Sequence, residues 1–207
     1  MNEMARSQHL IVRVSVAASA LTFVLAAGHR ADASIIYTQV NVVIANDSYD
    51  LDLTNDGHTD FSLTSWSVNG YCTTYPYNKP NEIATFTAMR EDHRNGVVVE
   101  ARHGYAFALT AGSEIGPGSI FGGPEMESLT WGWWGSGGQC TYKSETSGDW
   151  LGVEGRYLGV RFAANGEIHY GWAQLNVTFK PLNPITATLS GYAYETIAGK
   201  SIMAGQT

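Results

Sequence analysis

The sequence has little positive charge and, beyond its first segment, no long apolar run. Twelve lysine and arginine residues stand against 19 aspartate and glutamate residues, and the formal net charge is −7. An acidic chain is repelled by nucleic acid and by anionic membranes. A membrane-spanning helix needs about 20 apolar residues, and no such run follows residue 33. We therefore expect no nucleic-acid partner and no membrane span in the mature chain.

The first 33 residues have the pattern of a secretory signal peptide. Arg6 and Arg13 precede an apolar stretch, residues 14–27, and an Ala-x-Ala cleavage site follows at residues 31–33. Removing this segment leaves nine basic and 17 acidic residues, a net charge of −8. We predict one mature domain, residues 34–207, in a secreted, extracellular or periplasmic protein.

Cysteine is also scarce, since the whole chain contains two, Cys72 and Cys140. In an exported protein an even pair of cysteines most simply forms a disulfide bond. We expect this bond, and two free thiols are the alternative.

Helix-forming patterns are rare, and strand patterns are frequent. The mature chain is rich in glycine, tyrosine, tryptophan and threonine, which favours strands and turns. Alternating apolar and polar residues predict strands at 34–44, 61–66, 83–89, 97–105 and 185–196, with a turn-rich loop at 67–82. We predict an all-β fold, an antiparallel β-sandwich of jelly-roll type, and a closed barrel is the alternative.

The strongest local pattern is a β-hairpin over residues 157–179. Two alternating runs flank Asn165-Gly166, the preferred pair for a type I′ turn. The pairs expected outward from the turn are Phe162 with His169, Arg161 with Tyr170, Val160 with Gly171, Gly159 with Trp172 and Leu158 with Ala173. We also expect Trp172 to cover the bare backbone of Gly159, and Arg161 to stack on Tyr170 or Trp172.

One acidic stretch, residues 47–61, predicts a specific chemistry. Asp52, Thr54, Asp56, Gly57 and Asp60 match positions 1, 3, 5, 6 and 9 of an EF-hand calcium loop. Clustered carboxylates repel one another unless a cation neutralises them, and a solvated acidic turn is the alternative. We predict a structural calcium site with the ligands Asp47, Asp50, Asp52, Thr54, Asp56, His58 and Asp60.

A second notable stretch, residues 129–140, groups three tryptophans with four glycines and Cys140. One interpretation is that these rings belong to the core. The other is that aromatic side chains form a stacking platform for carbohydrate, with the candidates Trp131, Trp133, Trp134, Tyr170 and Trp172.

Patterns typical of catalysis are few. The chain has no Gly-x-Ser-x-Gly elbow, and the histidines of the mature chain lack His-x-x-x-His spacing. Glu125 and Glu127 would share a face of a strand and would then resemble a glycosidase pair. We expect that the protein is not an enzyme, and a polysaccharide hydrolase is the least favoured function.

Two stretches resemble known proteins. The loop Asp-x-Thr-x-Asp-Gly-x-x-Asp at residues 52–60 resembles the calcium loops of dockerins and of many bacterial surface proteins. Residues 157–172 and 191–196 resemble a group of secreted bacterial β proteins of the PEP-CTERM-associated type. The resemblance implies export and a β domain but no activity.

The sequence departs from both patterns. Leu63 occupies the twelfth loop position, where EF-hand loops have glutamate, so Asp47 or Asp50 would supply any bidentate ligand. The sequence contains no Pro-Glu-Pro sorting tail, so we do not expect anchoring by that route.

These patterns favour a non-enzymatic protein of the extracellular space or cell envelope, such as an adhesion or matrix component. Calcium and the disulfide would stiffen its sandwich, and other envelope proteins would be its partners. The alternative is a carbohydrate-binding module or lectin that binds extracellular polysaccharide through exposed tryptophan and tyrosine.

Overall fold

The computed structural model describes residues 34–74, 76–135 and 138–207, and the predicted signal peptide lies outside these ranges. In chain order the described strands are β1 (Ile35–Ile44), β2 (Ser48–Leu51), β3 (Phe61–Thr74), β4 (Tyr77–Arg90), β5 (Gly96–Val98), β6 (Ala108–Leu109), β7 (Glu114–Ile115), β8 (Phe121–Gly122), β9 (Glu125–Trp134), β10 (Thr141–Gly148), β11 (Val153–Ala164), β12 (Glu167–Thr178), β13 (Thr186–Glu195) and β14 (Ile202–Met203). The described residues contain no helix, and hence none that is long and apolar enough to cross a membrane. The all-β prediction is confirmed.

The strands form three antiparallel sheets. A seven-stranded sheet has the order β1-β13-β12-β11-β5-β8, with β6 also pairing with β11. A five-stranded sheet has the order β10-β9-β4-β3-β2, and β14 pairs with β7 in a small third sheet. One hydrophobic core contains fully buried side chains from both large sheets, such as Leu63 and Phe86 from one and Val160 and Leu175 from the other. The two large sheets therefore form the predicted sandwich.

The hairpin of β11 and β12 has the predicted register. Phe162 pairs with His169, and Gly159 pairs with Trp172. Asn165 and Gly166 have φ angles of 50° and 83°, as a type I′ turn requires. The alternating pattern and the turn pair together were therefore sufficient to define this register.

Both faces of this hairpin are buried, which the alternating sequence pattern does not predict. A second hydrophobic cluster lies on the face that points away from the main core. It contains Tyr170 and Trp172 of β12 together with Ile115 of β7 and Ile202 of β14. The Trp172 indole N–H donates to the backbone oxygen of Gln206 at 3.2 Å. The C-terminal segment is therefore part of the fold and covers the hairpin.

Two contacts predicted for this face are wrong. Val98 and Leu109 lie over the backbone of Gly159, where they would be the nearest groups to an added Cβ atom. Trp172 instead packs edge-on against Tyr157, with 5.2 Å between the ring centroids. Arg161 lies 4.8 Å from the ring centroid of Phe121, not over Tyr170 or Trp172. The reason is that the short strands β5, β6 and β8 supply the side chains that contact Gly159 and Arg161, and the pairing of β11 with β12 does not predict where these strands lie.

The predicted loop at residues 67–82 is also wrong, because this stretch is the far end of a long hairpin. β3 continues to Thr74 and β4 begins at Tyr77, and Pro80 pairs with Tyr71. The pairing of β4 with β9 extends only as far as Asn81. Pro80 therefore interrupts no hydrogen-bond ladder on that side, and a proline is tolerated there.

The strand predicted at residues 97–105 ends at Val98, and an irregular strand accounts for a further difference. β13 has one extra residue, Ser190, relative to β12. Ala187 and Leu189 before this bulge and Tyr192 after it pack in the main core, whereas Ala193 packs in the second cluster. The alternation predicted across residues 185–196 therefore changes face at the bulge. β1 also contains a bulge, and in it Ile36 is 45% exposed whereas Ile44 is 1% exposed.

The predicted disulfide between Cys72 and Cys140 is present, with its Cα atoms 6.0 Å apart. Cys72 lies near the end of β3, and Cys140 directly precedes β10. The bond therefore ties the turn end of the β3–β4 hairpin to the turn end of the β9–β10 hairpin. Cys72 is 2% exposed, so the bond is partly enclosed by the protein.

We expect the disulfide to stabilise the fold substantially, because it joins residues 68 positions apart. In the chain-entropy model a loop of this length contributes roughly 4 kcal/mol. Urea unfolding of Cys72→Ala/Cys140→Ala should show a loss of that order, and a reducing agent should destabilise the natural protein but not the double variant. Equal stability of the two proteins without reductant would contradict this expectation.

Candidate functional site

The acidic loop connects β2 to β3 in the five-stranded sheet. Its ends are fixed, because the Asp60 N–H donates to the backbone oxygen of Leu51 at 2.9 Å. Leu51 and Leu53 on one side and Phe61 on the other are 1% exposed or less. The polar residues of the loop are thus held at the surface by apolar anchors in the core.

Asp52 organises the backbone of the loop. Its carboxylate accepts backbone N–H bonds from Asn55 at 2.6 Å, Asp56 at 3.3 Å and Gly57 at 2.7 Å. Asn55 and Gly57 have φ angles of 63° and 86°, a left-handed conformation that glycine and asparagine adopt most easily. The Asn-Asp-Gly sequence therefore allows the loop to fold tightly around the Asp52 carboxylate.

Asp60 is the buried acid of the loop. It is 8% exposed, and its carboxylate accepts the N–H of Leu53 at 2.9 Å. The pKa of Asp60 is raised to about 6, mainly by burial and also by the nearby charges of Asp52 and Asp56. Burial also raises the pKa of the Tyr194 hydroxyl, and the charges of Asp52, Asp56 and Asp60 add to this increase. The charges of Asp52 and Asp56 therefore act on Asp60, and all three carboxylates act on Tyr194.

The other predicted ligands make different contacts. His58 has a side chain 90% exposed, with its Nδ1 3.3 Å from an oxygen of Asp56. The Asp47 carboxylate accepts the N–H of Ser48 at 2.8 Å, and that of Asp50 accepts the Ser62 hydroxyl at 2.9 Å. The described contacts of Asp47 and Asp50 are thus with serines of β2 and β3.

The donors of the loop have the chemistry that calcium prefers. Calcium takes six to eight oxygen ligands from carboxylates, hydroxyls, backbone carbonyls and water. Asp52, Asp56 and Asp60 supply carboxylates, and the Thr54 hydroxyl lies 3.5 Å from an oxygen of Asp52. Within the described ranges no group of three histidine, cysteine, aspartate or glutamate side chains is arranged to hold a metal ion. The loop therefore contains the donor types that calcium takes, but its described acidic side chains do not by themselves converge on a metal position.

The predicted aromatic candidates divide into two groups. Tyr170 and Trp172 are 6% and 2% exposed, so they present no ring face to solvent. Trp131, Trp133 and Trp134 of β9 are half-buried. Only the second group can contribute to a stacking surface.

An aromatic cluster forms at one end of the five-stranded sheet. The Tyr142 ring of β10 packs edge-on against Trp131 and Trp133, with centroid distances of 6.2 Å and 5.6 Å. The Lys79 ammonium lies 3.7 Å from the ring centroid of Trp133, at cation–π distance. These rings are tilted relative to one another by 66° or more and do not form one flat platform.

Several exposed rings were not among the predicted candidates, and one of them is Trp66, which is 51% exposed. The pattern of β3 contained the signal, because Phe61, Leu63 and Ser65 point inward and the alternation places Trp66 outward. Val68 on the same strand is 47% exposed.

The prediction that Glu125 and Glu127 share a face is wrong. β9 contains an extra residue, Met126, opposite the step from Phe86 to Thr87 of β4. Glu125 is exposed, whereas Met126 and Glu127 are buried. The bulge therefore separates the two carboxylates, so the proposed glycosidase pair is not formed.

Glu127 occupies an unusual buried position. It is 1% exposed, and one carboxylate oxygen accepts the N–H of Trp150 at 3.0 Å. The other oxygen has no hydrogen-bond partner among the described residues. The pKa of Glu127 is raised to about 7, mainly by burial and also by the charge of Asp149. A cleft of about 390 Å³ lies nearby, and Asp149 lines it whereas Glu127 does not.

Comparisons with protein-family models, with curated proteins and with solved structures found no match to this chain.

Glu127 should make stability depend on pH. Because its pKa in the folded state is above the ordinary value of 4.5, its stabilising contribution is complete below about pH 4.5 and is lost as the pH rises through about 7. The loss should be on the order of 2 to 3 kcal/mol. The free energy of unfolding, measured with urea, should fall between pH 5 and pH 8 in the natural protein. In Glu127→Gln this fall should be smaller by about 2 to 3 kcal/mol.

Glu125→Gln is the matched control, because it removes an exposed carboxylate two positions away. It should keep the pH dependence of the natural protein. If Glu127→Gln shows that same dependence too, Glu127 does not ionise in this range.

Proposed function

We propose that this chain is a non-enzymatic structural protein of the extracellular space or cell envelope. In this proposal the sandwich is held by the Cys72–Cys140 disulfide and by a calcium ion bound in the loop of residues 52–60. The disulfide is compatible with an oxidising compartment, which supports export. An adhesion or matrix role would use the sandwich as a rigid scaffold, with other envelope proteins as partners.

The observation that carries the calcium proposal is the electrostatic coupling of Asp52, Asp56 and Asp60. Each of these carboxylates raises the pKa of Tyr194, and Asp52 and Asp56 raise that of Asp60. In the described part of the chain no lysine or arginine forms a salt bridge with any of the three. A bound cation would relieve this repulsion and favour the charged form of each acid.

A calcium ion in this loop would act structurally. The loop joins β2 to β3, and its flanking residues Leu51, Leu53 and Phe61 are buried. Binding to the folded loop but not to the unfolded chain would stabilise the whole domain. The ion would thereby link folding to a calcium-containing compartment.

Calcium should raise the melting temperature of the exported protein. Saturation at a hundred times the dissociation constant contributes about 2.7 kcal/mol, which corresponds to roughly 5 to 10 °C for a domain of this size. Thermal melting in calcium and in chelator measures this shift.

Asp56→Asn should lose most of the calcium-dependent shift, because it removes a charge from the loop. Asp149→Asn is the control, since it removes an exposed carboxylate near the cleft and should retain the full shift. Equal melting temperatures of the natural protein in calcium and in chelator would refute the calcium site.

A second candidate function is carbohydrate binding, and the half-exposed aromatic rings of the five-stranded sheet favour it. Trp133 carries Lys79 on one ring face and Tyr142 at its edge, and Trp66 is exposed on β3. Exposed tryptophan rings of this kind would stack on sugar rings in an extracellular polysaccharide.

A glycan array with the exported protein tests this candidate. Binding should be lost in Trp66→Ala or Trp133→Ala and kept in Phe107→Ala, which removes an exposed ring from the segment before β6. No signal on the array, or a signal that all three variants retain, would reject the aromatic surface.

A further inference from the structure

The free edge of β10 is the most regular open strand edge in the described structure. β10 is the last strand of the five-stranded sheet, and within the described ranges it pairs only with β9. All eight of its residues, Thr141 to Gly148, are exposed. Their pairing with β9 continues without a bulge. Every second residue of β10 therefore offers a free backbone N–H and C=O to solvent.

The other open edges are blocked or short. β1 carries a bulge between Gln39 and Val42, and bulges interrupt pairing with another chain. β2 has four residues, and β8 has two. Natural sheets use such features to prevent edge-to-edge association. β10 uses neither of them.

The sequence of β10 is complementary to itself. In an antiparallel pair of two β10 strands centred on Ser144, Lys143 of one copy lies opposite Glu145 of the other, and the same pair recurs by symmetry. Tyr142 lies opposite Thr146, and Thr141 lies opposite Ser147. Opposite charges and aromatic–β-branched pairs directly across two strands are favourable. A lysine at an edge usually opposes association, but here it meets a glutamate.

We infer that β10 is a dimerisation strand whose partner is β10 of a second copy of this chain. The two strands pair antiparallel about a two-fold axis at Ser144, which joins the two five-stranded sheets into one continuous sheet. A two-fold interface uses the same surface on both copies, and this strand satisfies that requirement through its symmetric charge pattern. The dimer would place the aromatic clusters around Tyr142 of both copies on either side of the axis.

Sedimentation equilibrium of the exported protein and three charge variants tests this inference. The natural protein should form a dimer as its concentration rises. Lys143→Glu places glutamate opposite glutamate, and Glu145→Lys places lysine opposite lysine, so each should raise the dimer dissociation constant about tenfold or more. The double variant Lys143→Glu/Glu145→Lys exchanges the two charges and should restore the dimer.

Far-ultraviolet circular dichroism and thermal melting should show that all variants remain folded, because both side chains are exposed. A natural protein that stays monomeric at every concentration would overturn the inference. So would a dimer that all variants retain, because its interface would then lie elsewhere. A double variant as weak as the single ones would overturn the Ser144-centred pairing.

Discussion

The structure depends on a hairpin that must be covered on both faces. β11 and β12 place Val160, Leu175 and Phe162 toward the five-stranded sheet and Tyr157, Tyr170 and Trp172 toward the opposite side. Burying apolar side chains on both sides is favourable only when two separate parts of the chain pack against them. The five-stranded sheet provides one cover, and segments before β11 and after β13 provide the other.

This requirement explains the order of the elements. The connection between β5 and β9 passes over the hairpin and contributes Ile115, and the chain returns after β13 to contribute Ile202 and Ala204. The two segments pair with each other as β7 and β14. The C-terminal residues are thus a structural element, although their composition is that of a polar tail. The disulfide acts at the other sheet, where it joins the turn ends of two hairpins.

The sequence predicted the parts of the fold in which apolar and polar residues alternate along a strand. The Asn165-Gly166 turn and the flanking alternation defined the register of β11 and β12, and the cysteine count predicted the disulfide. The alternating pattern could not reveal the bulges at Met126 and Ser190. A bulge reverses the face toward which the following residues point, but it leaves no mark in the local composition. Nor could the alternating pattern show that Trp172 is covered, because the covering segments contact it only through the tertiary fold.

The sequence predicted the position of the candidate loop but not the burial of its acidic side chains. The spacing of Asp52, Asp56 and Gly57 identified the loop, and the positive φ of Gly57 agrees with the role expected of that glycine. The burial of Asp60 and Glu127 was not predictable, because it depends on which strands pack beside them. Asp60 precedes the buried Phe61, and Glu127 follows the buried Met126. The packing of these apolar residues in the core therefore fixes the positions of both acids.

The calcium site proposed in the loop of residues 52–60 can be tested directly. Titration calorimetry of the protein, first freed of metal ions by a chelator, measures the binding of calcium. We expect saturable binding of one calcium ion per chain, with magnesium binding far more weakly because it demands a rigid octahedral site. An absence of binding heat, together with no calcium retained after dialysis, would contradict it.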